Sequence, residues 1–196
     1  MQESQDPREP RPHTGRRRNE AARRAILDTA LELLADADGA PVTVETIARA
    51  AGVGKQTLYR WWPSKGAVLL EALNERAVQD VPTPDTGHLR EDLRALAAAT
   101  FEAAQRSPSG PALRTLVREA ARDPHLAELI ATFTESRRTA VREVLLRGRE
   151  RGELPASRDV DLLVDQFYGF FWYRFLLGHG PLDDATARKL ADSLVG

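Results

Sequence analysis

Apolar residues along this 196-residue chain recur at spacings of three and four and almost nowhere at two. That period belongs to helices with one buried face. Ala22, Ile26, Ala30, Leu33, Leu34 and Ala37 predict a first helix that stops before Gly39. Val44, Ile47, Ala48 and Ala51 follow i, i+3, i+4, i+7, with Thr43 placed as N-cap and Gly52 as terminator. Val68, Leu69, Ala72, Leu73 and Ala77 repeat the pattern after Ser64, another good N-cap residue. Prolines punctuate the remainder, and the periodicity between them predicts helices at about 88–106, 111–122, 125–150, 159–178 and 183–195. No strand-like alternation of useful length and no internal repeat is present. The expectation is an all-α chain of about nine helices.

Val81-Pro82-Thr83-Pro84-Asp85 divides this series. Before it lie short helices joined by very short turns; after it the helices lengthen. The pattern therefore predicts an arm at residues 1–18, a first domain at 19–80 and a second at 85–196. The segment 159–178 is unusual, because Leu162, Leu163, Val164, Phe167, Tyr168, Phe170, Phe171, Trp172, Tyr173, Phe175, Leu176 and Leu177 point all round its axis. Such a helix must be covered on more than one side. In a domain of this size a partner subunit is the economical cover for the second face.

Composition narrows the chemistry. There is no cysteine, which excludes disulfides, thiol nucleophiles and Cys-ligated zinc. The 28 basic and 29 acidic residues nearly cancel, yet all the basic residues except Lys55, Lys65 and Lys189 are arginine. Arg8 to Arg24 holds seven arginines against Glu9 and Glu20, interrupted by Pro10, Pro12 and Gly15. That composition reads as a disordered basic arm leading into structure. The uncharged run Gln166–Tyr173 is far short of the ~20 apolar residues of a membrane span. No apolar stretch of signal-peptide type follows the N-terminal arginines. A cytoplasmic protein without membrane contact is expected.

The informative segment is Thr43 to Lys65, TVETIARAAGVGKQTLYRWWPSK. A helix, a turn at Gly52-Val53-Gly54 and a second short helix form a helix-turn-helix. Val53 and Leu58 face inward, leaving Lys55, Gln56, Thr57, Tyr59, Arg60 and Trp61 on the outside of the second helix. A merely solvated face would carry charges alone. Aromatic side chains flanking Arg60 suit a surface that packs on sugar-phosphate and reads base edges. Lys65 opens the next helix, where the positive end of the macrodipole disfavours a cation. An anion bound by the free amides and the ammonium group resolves that conflict.

These residues resemble the DNA-binding signature of TetR-type transcriptional repressors: Gly52-Val53, Thr57-Leu58-Tyr59, Trp61-Trp62 and Lys65. The similarity is specific over residues 19–78 and continues weakly to the C-terminus through helix count and the FYGFFWYRFLLGH segment. It implies three N-terminal helices carrying the motif, a connecting helix, and a helical ligand-binding and dimerisation domain. By that resemblance Thr43, Lys55, Gln56, Thr57, Tyr59, Arg60, Trp61 and Lys65 fall at DNA-contacting positions. Many members carry His-Phe where this chain has Trp61-Trp62, so Trp61 contacts backbone by packing and Trp62 belongs to the core. Arg16, Arg17 and Arg18, just ahead of the first helix, are placed to reach an adjacent minor groove or phosphates. The resemblance also implies a small-molecule effector pocket in the second domain, with candidates Phe101, Leu116, Phe133, Phe167, Phe171 and Trp172 and polar anchors Arg174 or Gln166. Dimerisation is expected through 159–178 and 183–195 as a four-helix bundle.

Catalytic constellations are lacking. His13, His88, His125 and His179 are scattered, and no HExxH, Gly-rich phosphate loop or GxSxG occurs. No catalysis, cofactor or metal is expected. The sequence thus points to a homodimer that binds a double-stranded DNA operator and leaves it when an effector binds. An activator, or a helical interaction module without specific DNA, would use the same motif.

Overall fold

A computed structural model describes residues 14–36, 42–106 and 108–196. Nine helices and no strand are present among them: α1 (Thr14–Ala35), α2 (Val44–Ala50), α3 (Lys55–Trp61), α4 (Lys65–Asp80), α5 (Leu89–Gln105), α6 (Ser109–Ala120), α7 (Pro124–Glu150), α8 (Val160–Leu177) and α9 (Asp184–Val195). Their starts follow local chemistry. Thr43, Ser64, Asp123, Asp159 and Asp183 each accept a hydrogen bond from a backbone N–H of the first turn, satisfying donors that helix termini otherwise leave orphaned. α8 ends at Gly178, whose φ of 67° lies in the left-handed region that glycine adopts without strain.

One boundary differs from the expectation. α1 begins at Thr14, so the backbone of Arg16, Arg17 and Arg18 lies in its opening turns and not in an arm ahead of it. After Pro12 only Gly15 opposes helix, and the Arg-Arg-Arg-Asn-Glu-Ala-Ala run that follows contains mostly good helix formers. Residues 1–13, the side chains of Arg16, Arg17 and Arg18, and the stop expected before Gly39 lie outside the described residues. α6 starts two residues earlier than the pattern suggested, because Pro111 is tolerated within a first turn.

α1 packs on α4 and α6, α4 also on α7, and α5 lies along α9. α7 is the spine, touching α4, α5, α6 and α8. The link 81–88 is pinned by Asp92, a fully buried carboxylate. It accepts hydrogen bonds from Thr86 N at 2.6 Å and Thr86 Oγ1 at 2.7 Å, and from Arg151 Nη2 of α7's C-cap at 3.2 Å. A buried charge tolerates its desolvation only when paired and hydrogen-bonded in this way. Two glycines leave room for leucines of neighbouring helices. A Cβ at Gly66 of α4 would lie 2.3 Å from Leu129 Cδ1 of α7, and one at Gly148 of α7 would lie 2.7 Å from Leu89 of α5.

Candidate nucleic-acid interface and interior cavity

α2 and α3 are each only seven residues long, so their mutual angle rests on local locks. Thr46 N donates to Thr43 Oγ1 at 3.1 Å and Thr43 N to Thr46 Oγ1 at 2.9 Å, a reciprocal cap. Gly52, with φ 66°, turns the chain, and Val53 N donates to Ala48 O at 2.9 Å. Leu58 is fully buried between the helices and Val53 is half-buried against the same core. What remains outside is a contiguous exposed row: Lys55, Gln56, Tyr59 and Arg60, with Thr57 half-buried beside it. Tyr59 is 46% exposed, a large aromatic facing solvent.

Trp61 is only half-buried outward: its ring meets that of Trp62 edge-on at 5.4 Å and borders a depression formed with Asn19, Glu20, Arg23 and Arg60. Trp62 is 2% exposed, and its Nε1 donates to Glu71 Oε2 of α4 at 2.6 Å. Glu71 in turn pairs with Arg23 of α1, which also donates to Glu75 at 2.6 Å. The end of α3 is thereby tied through side chains to both α1 and α4.

Both lysines of this face are engaged. Lys55 pairs with Glu45, whose hydrogen bond holds the Glu45 carboxyl below and the Lys55 ammonium above its ordinary range. Lys65 is the first residue of α4, and its Nζ lies 3.2 Å from Glu119 Oε2 of α6. The anion that the position of Lys65 calls for is thus an internal carboxylate here. Thr43, expected to face DNA, commits its hydroxyl to the α2 cap.

A cavity of about 70 Å³ lies where α4, α5, α6, α7 and α8 converge. Of the residues expected to line a pocket it gathers Phe133, Phe171 and Trp172. Five others lie elsewhere. Phe101 is core, stacked on Phe170 and Phe171 with centroids 6.3 Å apart, and Phe167 is fully buried. Leu116 borders a separate small void with Gly66 and Leu129. Gln166 faces solvent. Arg174 lies over the Phe170 ring at 4.4 Å and donates to Pro181 O at 2.6 Å. The polar lining that sequence reasoning missed is Arg76 and Asp80 of α4, Thr100 of α5, Ser109 of α6, Thr134 and Arg137 of α7, and Tyr168 of α8. Burial pushes the Tyr168 phenol up, so it stays a neutral donor, bonded to Arg137 O at 2.9 Å. The i, i+4 pair Arg76 and Asp80 is a sequence signal for part of this lining; Arg137, in an arginine-rich helix, carries none.

α8 divides by face. Phe167, Tyr168, Phe171 and Phe175 turn inward, while Leu162, Tyr173, Leu176 and Leu177 are 55%, 52%, 44% and 70% exposed. With Gln166 and Gly169 these form one stripe spaced at i, i+4, i+7, i+11, i+14 and i+15, and a Cβ at Gly169 would meet nothing within 4 Å. The outward residues of α9 include Arg188, Lys189 and Asp192. Among the described residues no helix is long and apolar enough to cross a membrane, and no group of three or more metal-ligating side chains converges.

Comparison with known proteins matches both halves. The model of bacterial regulatory proteins of the tetR family covers residues 26–72, and that of the tetracyclin repressor-like C-terminal domain covers residues 83–194. An uncharacterized HTH-type transcriptional regulator, YdeS of Bacillus subtilis (strain 168), is 33% identical over 177 residues, 90% of this chain and 89% of that protein. The DNA-binding transcriptional repressor TetR of Mycobacteroides abscessus is 30% identical, covering 91% of this chain and 94% of its own. The crystal structure of the TetR family transcription regulator SCO0332 aligns with a TM-score of 0.75 at 36% identity, over 89% of this chain and 96% of that one.

Proposed function

Because the chain belongs to the TetR family of bacterial transcriptional regulators, we propose that it is a cytoplasmic, homodimeric, non-catalytic repressor. It binds a palindromic operator and releases it when a small molecule enters the interior cavity. The observation that carries the DNA reading is the exposed row Lys55, Gln56, Tyr59 and Arg60 on a helix whose Leu58 is fully buried. Those side chains meet base edges and phosphates in the major groove, with Trp61 packing at the flank and Thr57 and Lys65 facing the phosphate backbone. Thr43 positions α2 through its cap. Repression, rather than activation, is favoured by the name of the Mycobacteroides abscessus relative.

The domains divide the work: α1–α4, spanning residues 14–80, read DNA, and 85–196 bind effector and partner. The exposed α8 stripe from Leu162 to Leu177 is the apolar part of the dimer contact. A twofold axis along it sets two α3 helices side by side. Coupling passes through α4. Its Leu73, Arg76, Ala77 and Asp80 wall the cavity, and its Glu71 holds Trp62 at the end of α3. At about 70 Å³ the cavity is far below the ~300–1,000 Å³ of drug-sized ligand sites. An effector must therefore widen it, displacing α4 and the reading heads together.

Gel retardation of a palindromic duplex taken from the DNA beside this gene tests the reading. Retardation of that duplex at a protein concentration where a scrambled one runs free is expected. Equal retardation of both duplexes, or of neither, favours the interaction module instead.

A further inference from the structure

The interior cavity holds more cation than its walls neutralise. Arg76, Asp80 and Arg137 line it, and Arg76 Nε, Asp80 Oδ2 and Arg137 Nε are all buried without a hydrogen-bond partner. Arg76 Nε stands 3.9 Å from Asp80 Oδ2, an ion pair too long for a hydrogen bond. Asp80 has a second arginine, Arg106, at 3.6 Å. Arg137 has none of this: half-buried, with its Nε inside, its guanidinium makes no hydrogen bond and no ion pair among the described residues. The aromatic walls, Phe133, Tyr168, Phe171 and Trp172, offer it no compensating anion.

We infer that the cavity is a site for a small aromatic acid, its anionic group held by Arg137 and its ring lodged among Phe133, Phe171 and Trp172. A planar guanidinium presents two parallel N–H groups that match a carboxylate bidentately. A charged group with low-dielectric surroundings is stabilised by an opposite charge far more than by a neutral acceptor. Thr134 on the same helix lines the cavity too and can donate its hydroxyl to a carboxylate oxygen. Asp80, already faced by Arg76 and Arg106, stays with them and repels a second anion from the α4 side, which selects for one negative group rather than two. Cavities of ~150 Å³ hold a benzene ring, so an aromatic acid cannot enter about 70 Å³ without moving a wall. The regulatory consequence rests on the effector reading above; the charge preference of the site does not.

The test uses 2-naphthoate and its neutral isostere 2-naphthamide, titrated into the intact protein by calorimetry and followed by tryptophan fluorescence. The expected result is naphthoate binding at least tenfold tighter than naphthamide. Arg137→Gln should remove that preference while leaving naphthamide affinity unchanged, which also shows that the cavity still folds. Arg137→Lys, keeping the charge without the fork, should restore part of it. Equal affinity for the two probes, undiminished naphthoate binding in Arg137→Gln, or binding of neither probe overturns the inference. Operator retardation in the same samples separates the two readings. Arg137-dependent naphthoate binding with operator affinity unchanged leaves the acid site standing and removes the effector role. Release of operator by naphthamide as readily as by naphthoate does the reverse.

Discussion

Replacing Glu119 by Gln should tighten operator binding. In the free protein Glu119 Oε2 lies 3.2 Å from Lys65 Nζ, with the two side chains 30% and 27% exposed. A phosphate that recruits Lys65 at the start of α4 must take it from this carboxylate. Ion pairs of that exposure contribute about 0.2–1 kcal/mol. A dimer carries two of them, so freeing both favours the complex by ~0.4–2 kcal/mol, or roughly 2- to 30-fold in affinity. Gln preserves shape and hydrogen-bonding capacity, so stability should fall by no more than the pair itself is worth. Fluorescence anisotropy with a labelled operator duplex, repeated across salt concentrations, measures the effect. Lys65→Ala alone should weaken binding and reduce the log–log salt slope by about 0.9 per lost contact, roughly two per dimer. The decisive variant is the double one. If Glu119 acts through Lys65, Glu119→Gln changes nothing once Lys65 is Ala. A gain of full size in the Lys65→Ala background, or no gain in the wild type, refutes the competition.

Three further outcomes are expected. Tyr59→Ala should weaken operator binding by about 1 kcal/mol or more per half-site while leaving the unfolding midpoint unchanged, because the ring is 46% exposed; calorimetry with anisotropy checks both. Tyr173→Glu, in the C-terminal half of the exposed α8 stripe, should give monomers by sedimentation at micromolar concentration and abolish operator retardation; a stable dimer would move the interface elsewhere. Asp183 accepts from Thr186 N at 2.8 Å as the cap of α9, and the Thr186 hydrogen bonds hold its carboxyl below the usual range. Its contribution is therefore complete above the unfolded carboxylate range and is lost as pH falls through the folded value. Melting curves from about pH 5 to pH 3 should show a shallower acid limb for Asp183→Asn.

The helices and the reading motif were legible in the sequence because their signals are local. Thr43, Ser64 and Gly52 act on neighbours within four residues, and Leu58 is inward simply by helical period. The same locality fails where several elements meet. α8 is apolar on all sides, so no period could say that Phe171 and Trp172 border the cavity while Tyr173 and Leu176 stand outside; the helices packed around it decide that. Gln166 and Arg174 suggested themselves as anchors because they are the polar residues beside those aromatics, yet one faces solvent and the other caps the Gly178–Pro181 loop. The polar groups that do reach the cavity come from five different helices, α4, α5, α6, α7 and α8. Lys65 shows the converse case: its unfavourable place at a helix start was readable, but its partner lies 54 residues away on α6.

The account stands most directly on the spacing of two reading heads about a twofold axis. A hydroxyl-radical footprint of the intact dimer on its operator should show two protected half-sites on one face of the duplex, their centres one turn, ~34–36 Å, or a multiple of it apart. Inserting about five base pairs between them, half of a ~10–10.5 bp turn, should abolish binding by rotating one half-site away from its head. A single protected half-site bound by one protomer, or unchanged affinity for the operator with the insertion, would contradict it.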